Sequence, residues 1–78
     1  MCIARVGKVL SVADSSATIR FLDGRVTDGV DISVVGAQEG AYVEVMGNFA
    51  LSVLTKEQLR ERKAAWALIQ QAAAGARR

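Results

Sequence analysis

Apolar and polar positions alternate with a period of two along much of the first 54 residues, which is typical of half-buried β-strands. The segment 17–22 shows this best, because Ala17, Ile19 and Phe21 fall on one face. Further short runs that favour β-structure lie at 7–13, 25–28, 30–34, 41–46 and 49–54. These six closely spaced runs, two of which are separated by Gly29 alone, predict a small, five-stranded barrel that is closed or nearly closed.

Turn-forming residues separate these runs. Asp23-Gly24 predicts a two-residue hairpin turn in which both residues take positive φ. Gly29 predicts a bulge or bend, after which Val30, Ile32 and Val34 alternate with polar residues as a half-buried strand. The segments 36–40 and 47–48 predict a loop and a turn.

The pattern changes from Thr55 onward, where strong helix formers replace the alternation. Thr55 and Gln58 fit a capping box, and residues 56–74 contain neither glycine nor proline. Gly75 predicts the end of the helix. One stripe of this helix is predicted to pack on the barrel or on a partner; it consists of Leu59, Trp66, Ile69 and Ala73. We therefore expect a barrel over 1–54, a helix over 55–75 and a basic tail over 76–78, together forming one domain.

Composition and charge narrow the class of protein. Apolar residues make up 51% of the 78 residues but occur in short runs, so neither a signal peptide nor a membrane span is expected. Residues 1–54 carry four basic and six acidic side chains, whereas residues 55–78 carry six basic and two acidic ones. The net positive charge therefore lies in the C-terminal segment alone, which argues against nucleic-acid binding by the whole domain.

Cys2 is the outstanding candidate for chemistry. The chain has one cysteine and no histidine, which excludes the common zinc patterns and a histidine-dependent triad and fits a reducing cytoplasm. If Met1 is removed, the new α-ammonium group, together with Arg5 and Lys8, favours the thiolate form of Cys2. A thiolate binds soft or borderline metals. A buried, structural cysteine is the alternative.

Other candidate sites have simpler explanations. Gly7-Lys8 can be a phosphate-binding turn, but there is no Walker pattern, and a strand-opening glycine followed by a solvated lysine is the expected explanation. The aromatic residues Tyr42, Phe49 and Trp66 can stack on bases, but core packing is expected. Asp28 and Asp31 are expected to face solvent rather than to act as an acid–base pair. No pair of catalytic groups stands out, so an enzyme is not expected.

Two sequence blocks resemble one known family. The opening MCIARVGKVLSV resembles MCLAIPGKVxxI of the HypC/HupF chaperones of [NiFe]-hydrogenase maturation, and EGAYVEVMGNFALSVLTKE resembles their VGDYVLVHVGFAISKLDEE. The segment VDISVV between them resembles the third strand of the family. The positions that match in the first block are Met1, Cys2, Ala4, Gly7, Lys8 and Val9; those in the second are Gly40, Tyr42, Val43, Val45, Phe49, Ala50, Ser52 and Leu54.

This resemblance implies both a fold and a function. The fold would be an OB-like β-barrel with a C-terminal helix. The function would be that of a cytoplasmic metallochaperone that binds a HypD-like iron–sulfur scaffold and the precursor of the hydrogenase large subunit. No cofactor would be bound permanently; an Fe(CN)2CO unit would be held transiently through the Cys2 thiolate. The implied partner-binding residues are Cys2, Ile3, Ala4, Gly7 and Lys8.

Three positions depart from the family pattern. Val6 stands where the family has proline, Met46 where it has histidine, and Asn48 where it has glycine. Proline would fix φ, so the N-terminal segment is expected to be held less rigidly here. If the histidine assists iron binding in relatives, this chain cannot do so in the same way.

Two other functions remain open from the sequence. OB-like barrels often bind nucleic acid, and the basic C-terminal segment would suit that use. Alternatively, the stripe of the helix can join the chain to other subunits or to copies of itself. Binding to neither nucleic acid nor a membrane is expected, and a homo-oligomer remains possible.

Overall fold

Five β-strands and one α-helix follow one another along the chain. The computed structural model describes the backbone of residues 4–76 and the side chains of residues 4–72. The elements are β1 (Arg5–Ala13), β2 (Ser16–Phe21), β3 (Val26–Asp31), β4 (Tyr42–Met46), β5 (Phe49–Val53) and α1 (Lys56–Ala76). The strands form a closed barrel in the order β1-β2-β3-β5-β4, with β4 paired to β1. The expected OB-like barrel with a C-terminal helix is thereby confirmed.

The core lies inside the barrel and follows the alternation of the sequence. Ala17, Ile19 and Phe21 point inward from β2 and are buried, as predicted. Side chains from every strand join them; the buried cluster consists of Val9, Ala17, Ile19, Phe21, Val30, Ile32, Ala37, Val43, Val45 and Ala50. Closure pairs the backbone groups that an open sheet would leave free at its edges.

The turn after β2 differs from the prediction. Gly24 has a φ of +89°, but Asp23 does not take positive φ. The amide of Gly24 donates to Phe21 O (2.9 Å) and the amide of Phe21 donates to Arg25 O (2.8 Å). This is a three-residue loop closed by a glycine, and the Asp23 carboxylate supports it by accepting a hydrogen bond from Arg25 N (2.9 Å). The Asp23-Gly24 pair therefore predicted the position of the turn correctly, but the loop has three residues instead of two.

The region 25–34 contains one strand, and the pairing of that strand with β2 shifts register at Asp28 and Gly29, which confirms the predicted irregularity at Gly29 but not a separate strand after it. β3 runs through Gly29, which takes a φ of +70°, and ends at Asp31. Val30 and Ile32 are buried as predicted, but Val34 is 73% exposed. The reason is local: Asp31 Oδ1 accepts hydrogen bonds from Ser33 N (2.8 Å) and Ser33 Oγ (2.6 Å), which turns the chain away from the barrel.

The helix begins as the sequence predicts but ends later. Thr55 Oγ1 accepts a hydrogen bond from Gln58 N (3.1 Å), and Thr55 N donates to Gln58 Oε1 (3.0 Å), which confirms the capping box. Gly75 does not end the helix, which reaches Ala76. Glycine lowers helix stability by about 1 kcal/mol but does not force a stop. Residues 77–78 of the predicted tail lie outside the described residues, and the single-domain organisation stays a prediction.

The helix reaches well beyond the barrel. A helix of 21 residues is about 31 Å long at the usual rise of 1.5 Å per residue. The molecule measures 46 Å in its longest direction and only 23 by 22 Å across. Only part of the predicted stripe therefore has barrel surface to pack on.

Candidate partner-binding site

An apolar groove lies where the chain enters β1, between the end of the barrel and one side of α1. It has a volume of about 260 Å³. Ala4 lies at its edge and is half-buried. The apolar walls come from three segments that are distant in sequence, namely β1, the end of β2 and the middle of α1. These wall residues are Val6, Phe21, Leu22, Ala65, Trp66 and Ile69.

Two contacts hold α1 beside the barrel. The guanidinium group of Arg62 forms an ion pair with the Glu44 carboxylate on the outer face of β4, and Glu44 Oε2 is buried. The ammonium group of Lys63 lies 5.1 Å from the ring centroid of Tyr42, two residues earlier on the same strand. Both contacts come from one turn of the helix, and Trp66 follows Arg62 by four residues. The turn that holds the helix therefore also sets the position of Trp66 in the groove wall.

A cation lies at the groove edge formed by β1. The guanidinium carbon of Arg5 lies 4.0 Å from the ring centroid of Phe21, a cation–π distance. The nearby Asp23 carboxylate faces a different cation, since Asp23 Oδ2 lies 3.7 Å from Arg25 Nε. Within the described residues, Arg5 has no carboxylate at ion-pair distance. The groove thus combines apolar walls with an uncompensated positive charge.

The predicted partner-binding residues do not all share one surface. Ala4 lines the groove, whereas Lys8 is exposed at a separate, shallow depression beside Glu39 and Gly40. Gly7 is buried. Cys2 and Ile3 lie outside the described residues, although covalent geometry keeps the Cα atoms of Cys2 and Ala4 within about 7 Å of each other. Partner binding by all five residues stays a prediction.

Gly7 has a structural reason to be glycine. A Cβ atom at this position would overlap Ile19 Cγ2 and lie 3.1 Å from both Arg20 O and Phe21 Cδ1 on β2. The side chain of Ile19 is fully buried and has a β-branch, so it has little room to move. Gly7 lets β1 and β2 approach closely above the core. Close strand packing therefore explains why residue 7 is glycine, and a phosphate-binding turn is not needed to explain it.

Two positions that depart from the family pattern lie near the groove. Val6 is buried in its wall. β1 and β4 pair with Arg5 opposite Val45, and Met46 follows Val45 at the end of β4 where the chain enters β1. The position of the family histidine thus lies at the same end of the barrel as the N-terminal segment. Met46 is partly exposed there and supplies a thioether instead of an imidazole.

The expectation of core packing was wrong for two of the three aromatic residues. Phe49 is 49% exposed and Trp66 is 36% exposed, whereas Tyr42 is half-buried beneath Lys63. A barrel of five strands has a narrow interior, and Phe21 is the aromatic residue among its buried side chains. Phe49 and Trp66 therefore lie on the outer surface, on different elements, and do not form a continuous stacking platform.

Asp28 and Asp31 have separate partners. Asp28 Oδ1 accepts a hydrogen bond from Thr18 Oγ1 (3.0 Å), and Asp31 accepts from Ser33. The hydroxyl and then the amide of Ser33 lower the pKa of Asp31 below its ordinary value of 3.8. A lowered pKa keeps this carboxylate ionised and makes it a poor proton donor. These bonds support turn and strand geometry rather than acid–base chemistry.

Two features are absent from the part of the chain that the structure describes. No three Asp, Glu, His or Cys side chains come together in a way that would hold a metal ion. No helix in this part of the chain has the length and apolar character needed to cross a membrane.

The structure and the comparisons lead to one family. The structure is a closed five-stranded barrel that carries a helix and has an apolar groove beside its N-terminal strand. The chain belongs to the HupF/HypC family, whose pattern it matches over residues 1–66. No curated protein matched the chain. The family match includes Cys2, the whole barrel and α1 as far as Trp66, so it covers most of the groove.

Family membership identifies the general process in which the chain takes part. HupF/HypC proteins are hydrogenase maturation chaperones and not enzymes, so the chain is assigned to hydrogenase maturation and to the partners of that process in general. Sequence reasoning found the N-terminal segment and the stripe of the helix separately. It missed the groove between them, although the spacing of Arg62, Trp66 and Ile69 places them close together on one side of a helix.

Proposed function

We propose that this chain binds a HypD-like scaffold and the precursor of the hydrogenase large subunit, and that it assists delivery of an Fe(CN)2CO unit through Cys2. The observation that carries the proposal is the groove at Ala4, two residues from Cys2, inside the segment that matches the family. A partner seated there would lie within reach of the thiol.

A thiolate suits the handling of this cargo. It is a soft ligand that binds iron and can be exchanged for another ligand. The described residues bring together no set of further protein ligands. In the proposed role, Cys2 therefore holds the iron unit together with ligands from a partner, and release follows when the partner changes. Met46 does not replace the family histidine as a proton acceptor or a nitrogen ligand.

The test is an affinity pull-down from the native host with wild type, Cys2→Ala and Cys2→Ser, read by mass spectrometry. Val34→Ala is the matched control, because Val34 is exposed on a turn outside the groove. Recovery of a HypD-like protein or a large-subunit precursor with wild type and Val34→Ala, but with neither Cys2 variant, is the expected result. Serine keeps the size but not the thiolate, so Cys2→Ser separates ligation from packing.

Two other results are informative. Recovery of the same partners with every variant would keep the chaperone role and remove Cys2 from the contact. Recovery of neither partner, with RNA or ribosomal proteins in their place, would overturn the proposal and favour the nucleic-acid-binding function.

A further inference from the structure

The size and walls of the groove indicate what it binds. Small-molecule sites usually have volumes of roughly 300–1,000 Å³. At about 260 Å³ the groove is slightly smaller than this range, and its walls are mostly apolar. It suits one large apolar side chain better than a cofactor. Trp66 forms part of the wall and is 36% exposed, which leaves much of its indole ring available for contact.

The charges at the groove indicate what accompanies that side chain. Arg62 is paired with Glu44, and Asp23 faces Arg25, so these charges are largely compensated. Arg5 is exposed and stacked on Phe21, without a carboxylate partner in the described residues. The net charge offered to a ligand is therefore positive, and an acidic group beside the apolar side chain would complement it.

We propose that the groove docks a segment of the scaffold partner in which a large apolar side chain stands next to a carboxylate. The occupant is assigned to the scaffold because cargo has to be received at Cys2 before it can be delivered. This inference rests on the proposed function. It adds a specific site, formed jointly by β1, β2 and α1, which holds the partner within reach of the thiol and adds to the contact that Cys2 makes.

The experiment measures binding of a purified HypD-like scaffold to the full chain by calorimetry at low and high salt. Trp66→Ala removes one wall, and Ala65→Arg fills the groove while keeping Trp66. Both are expected to weaken binding about tenfold or more, as for a central anchor of an interface. Leu68→Ala is the matched control, because Leu68 is on the same helix, exposed and outside the groove. Circular dichroism confirms that each variant is folded.

A second pair of variants tests the charge. Arg5→Gln is expected to weaken binding several-fold and to flatten its dependence on salt, because a charge pair with the partner is lost. Arg20→Gln is the control, since Arg20 is an exposed arginine of β2 outside the groove. Equal behaviour of the two variants would overturn the acidic part of the proposal.

The possible failures can be told apart. If wild type does not bind the scaffold, the proposed function and this inference both fail. If Cys2→Ala abolishes binding while Trp66→Ala and Ala65→Arg bind like wild type, only the groove inference fails. If sedimentation shows a dimer of wild type that Trp66→Ala dissociates, the occupant is a second copy of the chain and the scaffold assignment is wrong.

Discussion

The barrel and the helix bury their apolar side chains to very different extents. Val9, Ile19, Val30 and Val43 are completely buried inside the barrel. On α1, by contrast, Leu68 and Ile69 are mostly exposed, and among the described side chains the helix is held by one ion pair, one cation–π contact and the groove wall. Burial of apolar area is the main stabilising term in folding, so most of the free energy of unfolding resides in the barrel.

This difference separates two tasks. The barrel holds the ends of β1 and β2 in fixed positions, and α1 supplies apolar surface that the fold itself does not use. Because the helix contributes little to folding, its exposed apolar residues can be replaced with little loss of stability. Their replacement should weaken the binding of a partner that covers them. Shortening an apolar side chain should therefore lower the stability of the fold when it is done in the barrel, and should weaken partner binding when it is done on the helix.

The largest expected effect comes from shortening the same residue type in the two regions. Ile19→Ala leaves a cavity in the core and should lower the free energy of unfolding by about 2–5 kcal/mol. Ile69→Ala removes a side chain that is 63% exposed and should change it by less than about 0.5 kcal/mol. Urea denaturation of both variants measures this. Equal losses would show that the helix belongs to the folding core.

A smaller but still large effect is expected where the barrel strands approach most closely. Gly7→Ala adds a methyl group against Ile19 and the backbone of Arg20, and should destabilise the barrel by about 1–3 kcal/mol. Ser11→Ala, at an exposed position of the same strand, is the control. Thermal denaturation compares the two. An unchanged melting temperature for Gly7→Ala would mean that β1 can move away from β2 at no cost.

The helix cap should have an intermediate effect. Thr55→Ala removes the acceptor for Gln58 N and should cost about 1 kcal/mol, whereas Thr55→Ser keeps that acceptor. The expected loss appears in the helical signal of far-UV circular dichroism, with little change in the barrel. If the barrel melts earlier to the same degree, the helix and the barrel unfold as one unit.

The smallest effect concerns the turn after β3. The folded pKa of Asp31 is lowered, so its contribution to stability is present above its unfolded pKa, near 3.8, and is lost as the pH falls through the folded value. Ser33→Ala removes the hydroxyl donor and should raise the folded pKa toward 3.8, which reduces the acid-dependent loss. An NMR titration of the Asp31 carboxyl group measures the shift, and Ser33→Thr is the control. An unchanged titration in Ser33→Ala would assign the shift to another donor.

Sequence patterns identified those features of the fold that depend on local chemistry. The alternation in β2 gave its buried face, and the Thr55–Gln58 pair gave the start of α1. They failed where a side-chain hydrogen bond overrides the alternation of apolar and polar residues. Val34 continues an apolar alternation, but Ser33 donates to Asp31 and the chain turns before Val34 reaches the core. Gly75 is a residue type that often follows the end of a helix, but here the helix continues through it to Ala76.

The candidate site was only partly predictable for a different reason. The N-terminal block pointed to the segment at Ala4, and the stripe pointed to Trp66. Their meeting depends on Arg62 reaching Glu44, a contact between residues 18 positions apart that no local pattern specifies. The exposure of Phe49 and Trp66 likewise follows from the narrow barrel interior, which is a property of the closed sheet as a whole.

The barrel is closed by two unequal seams, with consequences for how it opens. β1 and β4 are joined by four residue pairs, from Arg5–Val45 to Lys8–Tyr42, whereas β3 and β5 meet at the single pair Asp31–Phe49. Amide protons near the β3–β5 seam should therefore exchange with solvent first, through local opening of the wall. The β1–β4 seam includes the pair Val6–Glu44. The side of the barrel that faces α1 should therefore stay closed while the β3–β5 side opens locally.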